Sequence, residues 1–278
     1  MNGILRTSGA RRVASAAVVA TTLAFGGSVA APSLFAQAPA QAPAGRGRGQ
    51  APATEGRGQT PASNPNPNGI PELTGTWDGG GRAHPVNSET VPWGKDNFPE
   101  LNERGLAHQR VFDEAIAPKY DCVPSTSPAI QYDPYSLQFV QWPDRVIIRY
   151  EKDDQTRTIW LDGRKPTIQD YSNQGFSVGH YENGALIATT DHFLFDITGF
   201  DDYNGIPSSQ LKKVTERYWR EGPEMKFTVT VEDPMFLKKP ASYTSRYLPQ
   251  RPGYQLSAWD CDPETSRAPV RMMTPKYK

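Results

Sequence analysis

Two charged residues, Arg157 and Glu216, fall where the alternation of the chain puts apolar side chains. Glu216 lies between Val214 and Tyr218 in a period-two run, and Arg157 shares a face with Val146, Ile148, Tyr150 and Ile159. Burying a lone charge on such a face is costly. Two arrangements answer that cost. Either the charges form a structural ion pair or hydrogen-bond network, or they are the few polar contacts of a ligand cavity, with Tyr150 and Tyr218 beside them. In the second arrangement Glu216 is also a candidate catalytic acid/base, its pKa raised by burial.

The remaining reactive side chains form no site in the sequence. The Asn183-Gly184 turn puts His180 and His192 on opposite faces of one hairpin, so one metal ion cannot take both. Asp191 and His192 are strand neighbours and are expected to point apart, which argues against a general-base pair. His84 and His108 fall in irregular stretches. Neither Cys122 nor Cys261 has the spacing of zinc ligands. There is no Gly-x-Ser-x-Gly elbow and no phosphate-binding glycine loop, so neither a metal nor another cofactor is expected. Six tryptophans and twelve tyrosines suit a pocket for a small apolar or aromatic molecule, and suit an ordinary β core equally well.

The elements that must position Arg157 and Glu216 are strands. Arg145–Glu151 and Thr156–Leu161 read as one hairpin, with Glu151 opposite Thr156 and Tyr150 opposite Arg157. Gly175–Glu182 and Ala185–Phe193 flank Asn-Gly, the strongest short hairpin signal. That register places Phe176, Val178, His180, Ile187, Thr189 and Phe193 on one face. Ser177, Gly179, Tyr181, Leu186, Ala188, Thr190 and His192 take the other. Gln210–Arg220 and Met225–Asp233 form a third hairpin, pairing Glu216 with Val229 and Tyr218 with Phe227. Leu73–Trp77 and Ala241–Leu248 are further strands, and one short helix is expected near residues 100–116. The fold class is all-β: an antiparallel meander closing into a barrel or wrapped sheet.

The chain ends differ from this middle. Residues 1–36 read as an export signal, with Arg6, Arg11 and Arg12 ahead of an apolar run. That run is too short to span a bilayer, so the mature protein is expected to have no transmembrane segment. The Arg11-Arg12 pair leaves general and twin-arginine export both open. Residues 37–70 carry six prolines and almost no large apolar side chain, and are expected to be a disordered linker. The folded part is then 71–278, a single domain. Removing six arginines and Glu55 leaves 24 basic and 29 acidic residues, near −5, which argues against nucleic acid. Export to an oxidising compartment, periplasmic or extracellular, favours a Cys122–Cys261 disulfide over two free thiols.

An ordered series of motifs resembles a large family of exported bacterial proteins of unassigned function. It runs from Tyr120-Asp121-Cys122-x-Pro124 through Arg157-Thr158-Ile159-Trp160-Leu161-Asp162-Gly163-Arg164 to Ser177-Val178-Gly179-His180-Tyr181-Glu182-Asn183-Gly184. Gly205-Ile206-Pro207-Ser208-Ser209, Glu216-Arg217-Tyr218 and Val231-Glu232-Asp233-Pro234 follow. The resemblance brings no activity. Many such relatives have histidines where this chain has Phe176 and just before Ser208, so histidine chemistry does not carry over. A second, smaller resemblance is to lipocalins, through Gly75-Thr76-Trp77 and the cysteine pair. It implies a lipocalin-like barrel. The expected function is an exported barrel binding a small, mostly apolar ligand in an internal cavity through Arg157, Glu216, Tyr150 and Tyr218. The alternatives are an envelope hydrolase or isomerase using Glu216, and a structural accessory docking another envelope protein.

Overall fold

Asn183 and Gly184 take φ values of +48° and +72°, the left-handed pair that a type I′ turn requires. They join β5 (Phe176–Glu182) to β6 (Ala185–Asp191) with Glu182 opposite Ala185, the expected register. Gly222, at φ +58°, turns β7 (Lys213–Glu221) into β8 (Glu224–Glu232), and Glu216 faces Val229 as expected. In this computed structural model, residues 69–80, 98–201 and 204–272 are described. The expected export signal, nearly all of the expected linker, and His84 lie outside them.

The other strands are β1 (Gly75–Asp78), β2 (Ser136–Gln141), β3 (Arg145–Tyr150), β4 (Thr156–Trp160) and β9 (Ala241–Pro249). All nine form one closed barrel in chain order, completed by β1 against β9. The meander is antiparallel except at one step. β4 and β5 run parallel and share only the pairs Ile159↔Ser177 and Trp160↔Val178. A parallel step needs a crossover, and residues 161–175 supply it.

The β3–β4 hairpin corrects the sequence reading. Arg157 pairs with Ile148, not Tyr150, and Arg149 with Thr156. The cause is Glu151, which leaves the ladder. Its carboxylate accepts from Ser136 N at 3.1 Å, Tyr254 Oη at 2.6 Å and Ser257 N at 2.8 Å. The register moves by two residues, so every side chain keeps its face. A second correction concerns His192, whose φ of +57° interrupts the alternation. Phe193 is therefore buried, although Val178 and His180 on its expected face point outward.

Helix α1 (Glu103–Val111) starts where Asn102 Oδ1 accepts from Arg104 N and Gly105 N. It meets the barrel through Gly105, where an added Cβ would lie 2.7 Å from Phe236 O. Leu101 and Phe112 beside it are buried, but Leu106, Val111 and Ile116 are exposed. Among the described residues, no helix is long and apolar enough to cross a membrane.

One end of the barrel, where β2 begins and β3 ends, is stoppered by residues 125–132. Ala129, Ile130 and Gln131 form a buried 3-10 turn. Tyr243 Oη donates to Pro128 O at 3.1 Å and Tyr247 Oη to Gln131 O at 2.6 Å. Lys212 Nζ, fully buried, donates to Ser127 O at 2.7 Å and Thr126 Oγ1 at 3.2 Å and lies 4.1 Å from the Phe193 ring centre.

Burial lowers the Lys212 pKa from 10.5 to about 8, despite the opposing fields of Asp196 and Asp233. Between these values the unfolded chain holds a proton that the folded chain has released. Stability should therefore rise with pH across that window, by up to about 3 kcal/mol from this group. Urea midpoints from pH 8 to 10 test this. Lys212→Met should remove the rise, and an identical slope in both proteins would refute the assignment.

Candidate functional site

Four consecutive strands bring the expected polar residues together. Arg157 comes from β4, Ser177 from β5, Thr190 from β6, and Glu216 with Tyr218 from β7. Arg157 and Glu216 form a two-armed ion pair, with Nη1 donating to Oε1 at 2.9 Å and Nη2 to Oε2. Arg157 Nε donates to Ser177 Oγ at 2.9 Å and Nη2 to Thr190 Oγ1 at 2.8 Å. Tyr218 Oη donates to Glu216 Oε1 at 2.8 Å, and Gln131 Nε2 reaches the same oxygen from the stopper. Glu216 is 0% and Arg157 3% exposed.

Burial works against the Arg157 charge, but the field and hydrogen bonds of Glu216 outweigh it and raise its pKa well above the usual value. Tyr218 is also pushed well up, first by burial and then by Glu216. Burial lifts Tyr150 to about 12. Among the described residues, the Tyr150 hydroxyl has no hydrogen-bond partner of normal geometry, although Arg157 lies near enough to offset part of that rise. The expected residues thus meet in the barrel interior and chiefly engage one another. A cleft of about 480 Å³ at the β4–β5 seam is lined in part by Arg157 and Ser177.

Asp191 and His192 correct the sequence reading. They touch, with Nδ1 of His192 2.6 Å from Asp191 Oδ1. The left-handed backbone at His192 turns its ring back toward its neighbour and onto Tyr171, 4.6 Å between centres. Among the described residues, no group of three or more His, Cys, Asp and Glu is placed to hold a metal ion.

An aromatic cleft lies at the stoppered end, outside the barrel. It holds about 490 Å³ between Tyr120, Tyr132, Tyr135 and Trp259. Tyr135 and Trp259 meet edge to face at 4.9 Å. Residues 114–135 and 259–266 make most of its walls, with Lys152 and Asp153 between them, and the Cys122–Cys261 disulfide ties the first two stretches, Cα to Cα 5.9 Å. Ser266 Oγ donates to Lys119 O at 3.4 Å and Arg267 pairs with Asp121, which closes the same join. On its lining Lys119 pairs with Glu114 at 2.8 Å and Lys152 with Asp133 at 2.8 Å, while Asp153 accepts from Ser125 N at 3.2 Å.

No family model matches this chain, and no curated protein does.

The sequence reading missed Ser177 and Thr190 as partners of Arg157, missed Gln131 as a partner of Glu216, and missed the aromatic cleft. Ser177 and Thr190 had a signal: the Asn-Gly register set both hydroxyls on one face with Leu186 and Ala188. Gln131 and the four rings lie outside regular strands, where no periodicity exists to read.

Proposed function

We propose that the protein is an exported barrel that binds a small, uncharged aromatic or apolar molecule in the cleft beside the disulfide. The convergence of four rings around a space of about 490 Å³ carries this reading. Ligand sites of this volume are typically apolar with a few placed polar groups. Both lysines there already have carboxylate partners, so an anionic ligand gains little and a neutral ring loses little. The disulfide supports an oxidising compartment. The Arg157–Glu216 cluster serves as the fixed polar centre of the barrel beneath.

Titration with the neutral fluorescent probe N-phenyl-1-naphthylamine tests the reading. Saturable binding is expected, weakened about tenfold or more by Trp259→Ala. Equal affinity of both proteins, or no binding to either, would remove the cleft as the site. Native mass spectrometry of protein from its own source should show a bound small molecule.

A further inference from the structure

We infer that Ser172, His192 and Asp191 form a second, catalytic site, with the roles of nucleophile, base and orienting acid in the hydrolysis of a small, uncharged carboxylic ester. The contact that carries it is the one that strand alternation argued against. Nδ1 of His192 lies 2.6 Å from Asp191 Oδ1. With Nδ1 donating to that carboxylate, Nε2 is left as the proton acceptor. The Tyr171 ring lies against the imidazole, 4.6 Å between centres, and fixes its plane. The contact depends on a left-handed backbone at His192, φ +57°, which a residue with a Cβ adopts only at a cost. The histidine side chain is 23% exposed, so a small ester can reach it.

Ser172 is held beside this base. Its N–H donates to His192 O and its carbonyl accepts from Leu194 N, both at 3.0 Å. Ser172 opens a tight turn that Gly175 N closes by donating to Ser172 O at 3.2 Å. Gly175 has φ +67°, and an added Cβ there would lie 2.5 Å from Asp191 O, so the turn presses directly on the acid's own strand. Among the described residues, the backbone N–H groups of Asn173 and Gln174 in this turn donate to no acceptor. Amides just after a nucleophile are the donors that hold a developing oxyanion. Ser172 Oγ donates to Gly175 O at 3.2 Å, and rotation about one side-chain bond releases it toward the base. Such contacts often tighten only when substrate binds.

Tyr171 and Ser172, the residues that meet His192, line the cleft of about 480 Å³ at the β4–β5 seam, with Trp160 and Phe176 also on its wall. These rings suit an apolar acyl group. Arg164 is taken by Asp162, Arg157 by Glu216, and Asp170 accepts from Thr167 N at 2.6 Å and Oγ1 at 2.8 Å, so an uncharged substrate fits best. In the reaction Ser172 Oγ bonds to the acyl carbon. Its proton passes to His192 Nε2 and on to the departing alkoxide oxygen. Water then attacks the acyl-serine in the same way and releases the acid and the free serine. The site shares no lining residue with the aromatic cleft, so the two readings stand or fall separately.

An alkyl fluorophosphonate, an uncharged reagent that bonds to activated serines, tests the site in the full chain. Mass spectrometry of the digested protein should place one adduct on Ser172, and Ser172→Ala should lose it. His192→Asn should slow labelling about a hundredfold or more. Asparagine tolerates the left-handed region, so this variant should keep the parent's thermal transition. Asp191→Asn should lower the maximal labelling rate about tenfold or more, with the half-saturating reagent concentration unchanged, which marks a positioning residue. The parent should also hydrolyse p-nitrophenyl butyrate, and Ser172→Ala should not. Absence of an adduct on Ser172, equally fast labelling of the unfolded chain, or indifference to His192→Asn would each overturn the proposal.

Discussion

Glu216→Ala should cost about 3–5 kcal/mol of stability, measured by urea unfolding. The variant leaves the Arg157 guanidinium buried without its counter-charge, still donating to Ser177 and Thr190 but no longer to a carboxylate. It also orphans Gln131 Nε2 and Tyr218 Oη, both of which donate to Glu216. Arg157→Ala should cost a similar amount, because a buried carboxylate then keeps only neutral partners. Replacing both with apolar residues of matching volume should recover much of the loss, since two desolvated charges are removed together. Recovery will stop short of full, because the Gln131 and Tyr218 donors still lack their acceptor at about 1–3 kcal/mol each. A single variant within about 1 kcal/mol of the parent would show that the pair does not hold the barrel.

Loss of the disulfide should have the next largest effect. Cys122 and Cys261 lie 139 residues apart, and their bond encloses every strand except β1. In the chain-entropy account a loop of that length is worth up to about 5 kcal/mol, and native disulfides of exported domains typically contribute about 2–5. Cys122→Ser with Cys261→Ser should fall in that range. The same variant should weaken probe binding at the aromatic cleft, because Trp259 loses its tie to the wall that carries Tyr120. A stability loss below about 1 kcal/mol would mean that the other anchors of the segment after β9 hold the join without the disulfide. Those anchors are Glu151 with Tyr254 and Ser257, Arg267 with Asp121, and Ser266 with Lys119.

The barrel was legible in the sequence where tight turns fix the register. Asn183-Gly184 and Gly222-Pro223 leave one way to pair their strands, so Glu216 opposite Val229 followed from the text. Glu151 broke the third hairpin because a strand residue held by distant partners looks no different in sequence from one in the ladder. The parallel step at β4–β5 was invisible for a related reason. Alternation tells which face a residue takes, not which strand lies alongside or in what direction. The Arg157–Glu216 pair was legible as a cost needing an answer, and closure of the barrel supplied the partner. The aromatic cleft was not legible, since its rings come from irregular segments that meet only in the folded chain, at the disulfide and the contacts around it.

The single parallel step also governs where this chain tolerates change. Every hairpin turn of two residues admits no insertion without sliding its strands past each other. Residues 161–175 are under no such rule, because a crossover must return the chain to its starting end by some route but not by a fixed number of steps. Lengthening it costs only slowly growing closure entropy and leaves all antiparallel registers untouched. Length variation and grafted sequence are therefore accommodated on this flank of the barrel, where the wall is joined by only two residue pairs.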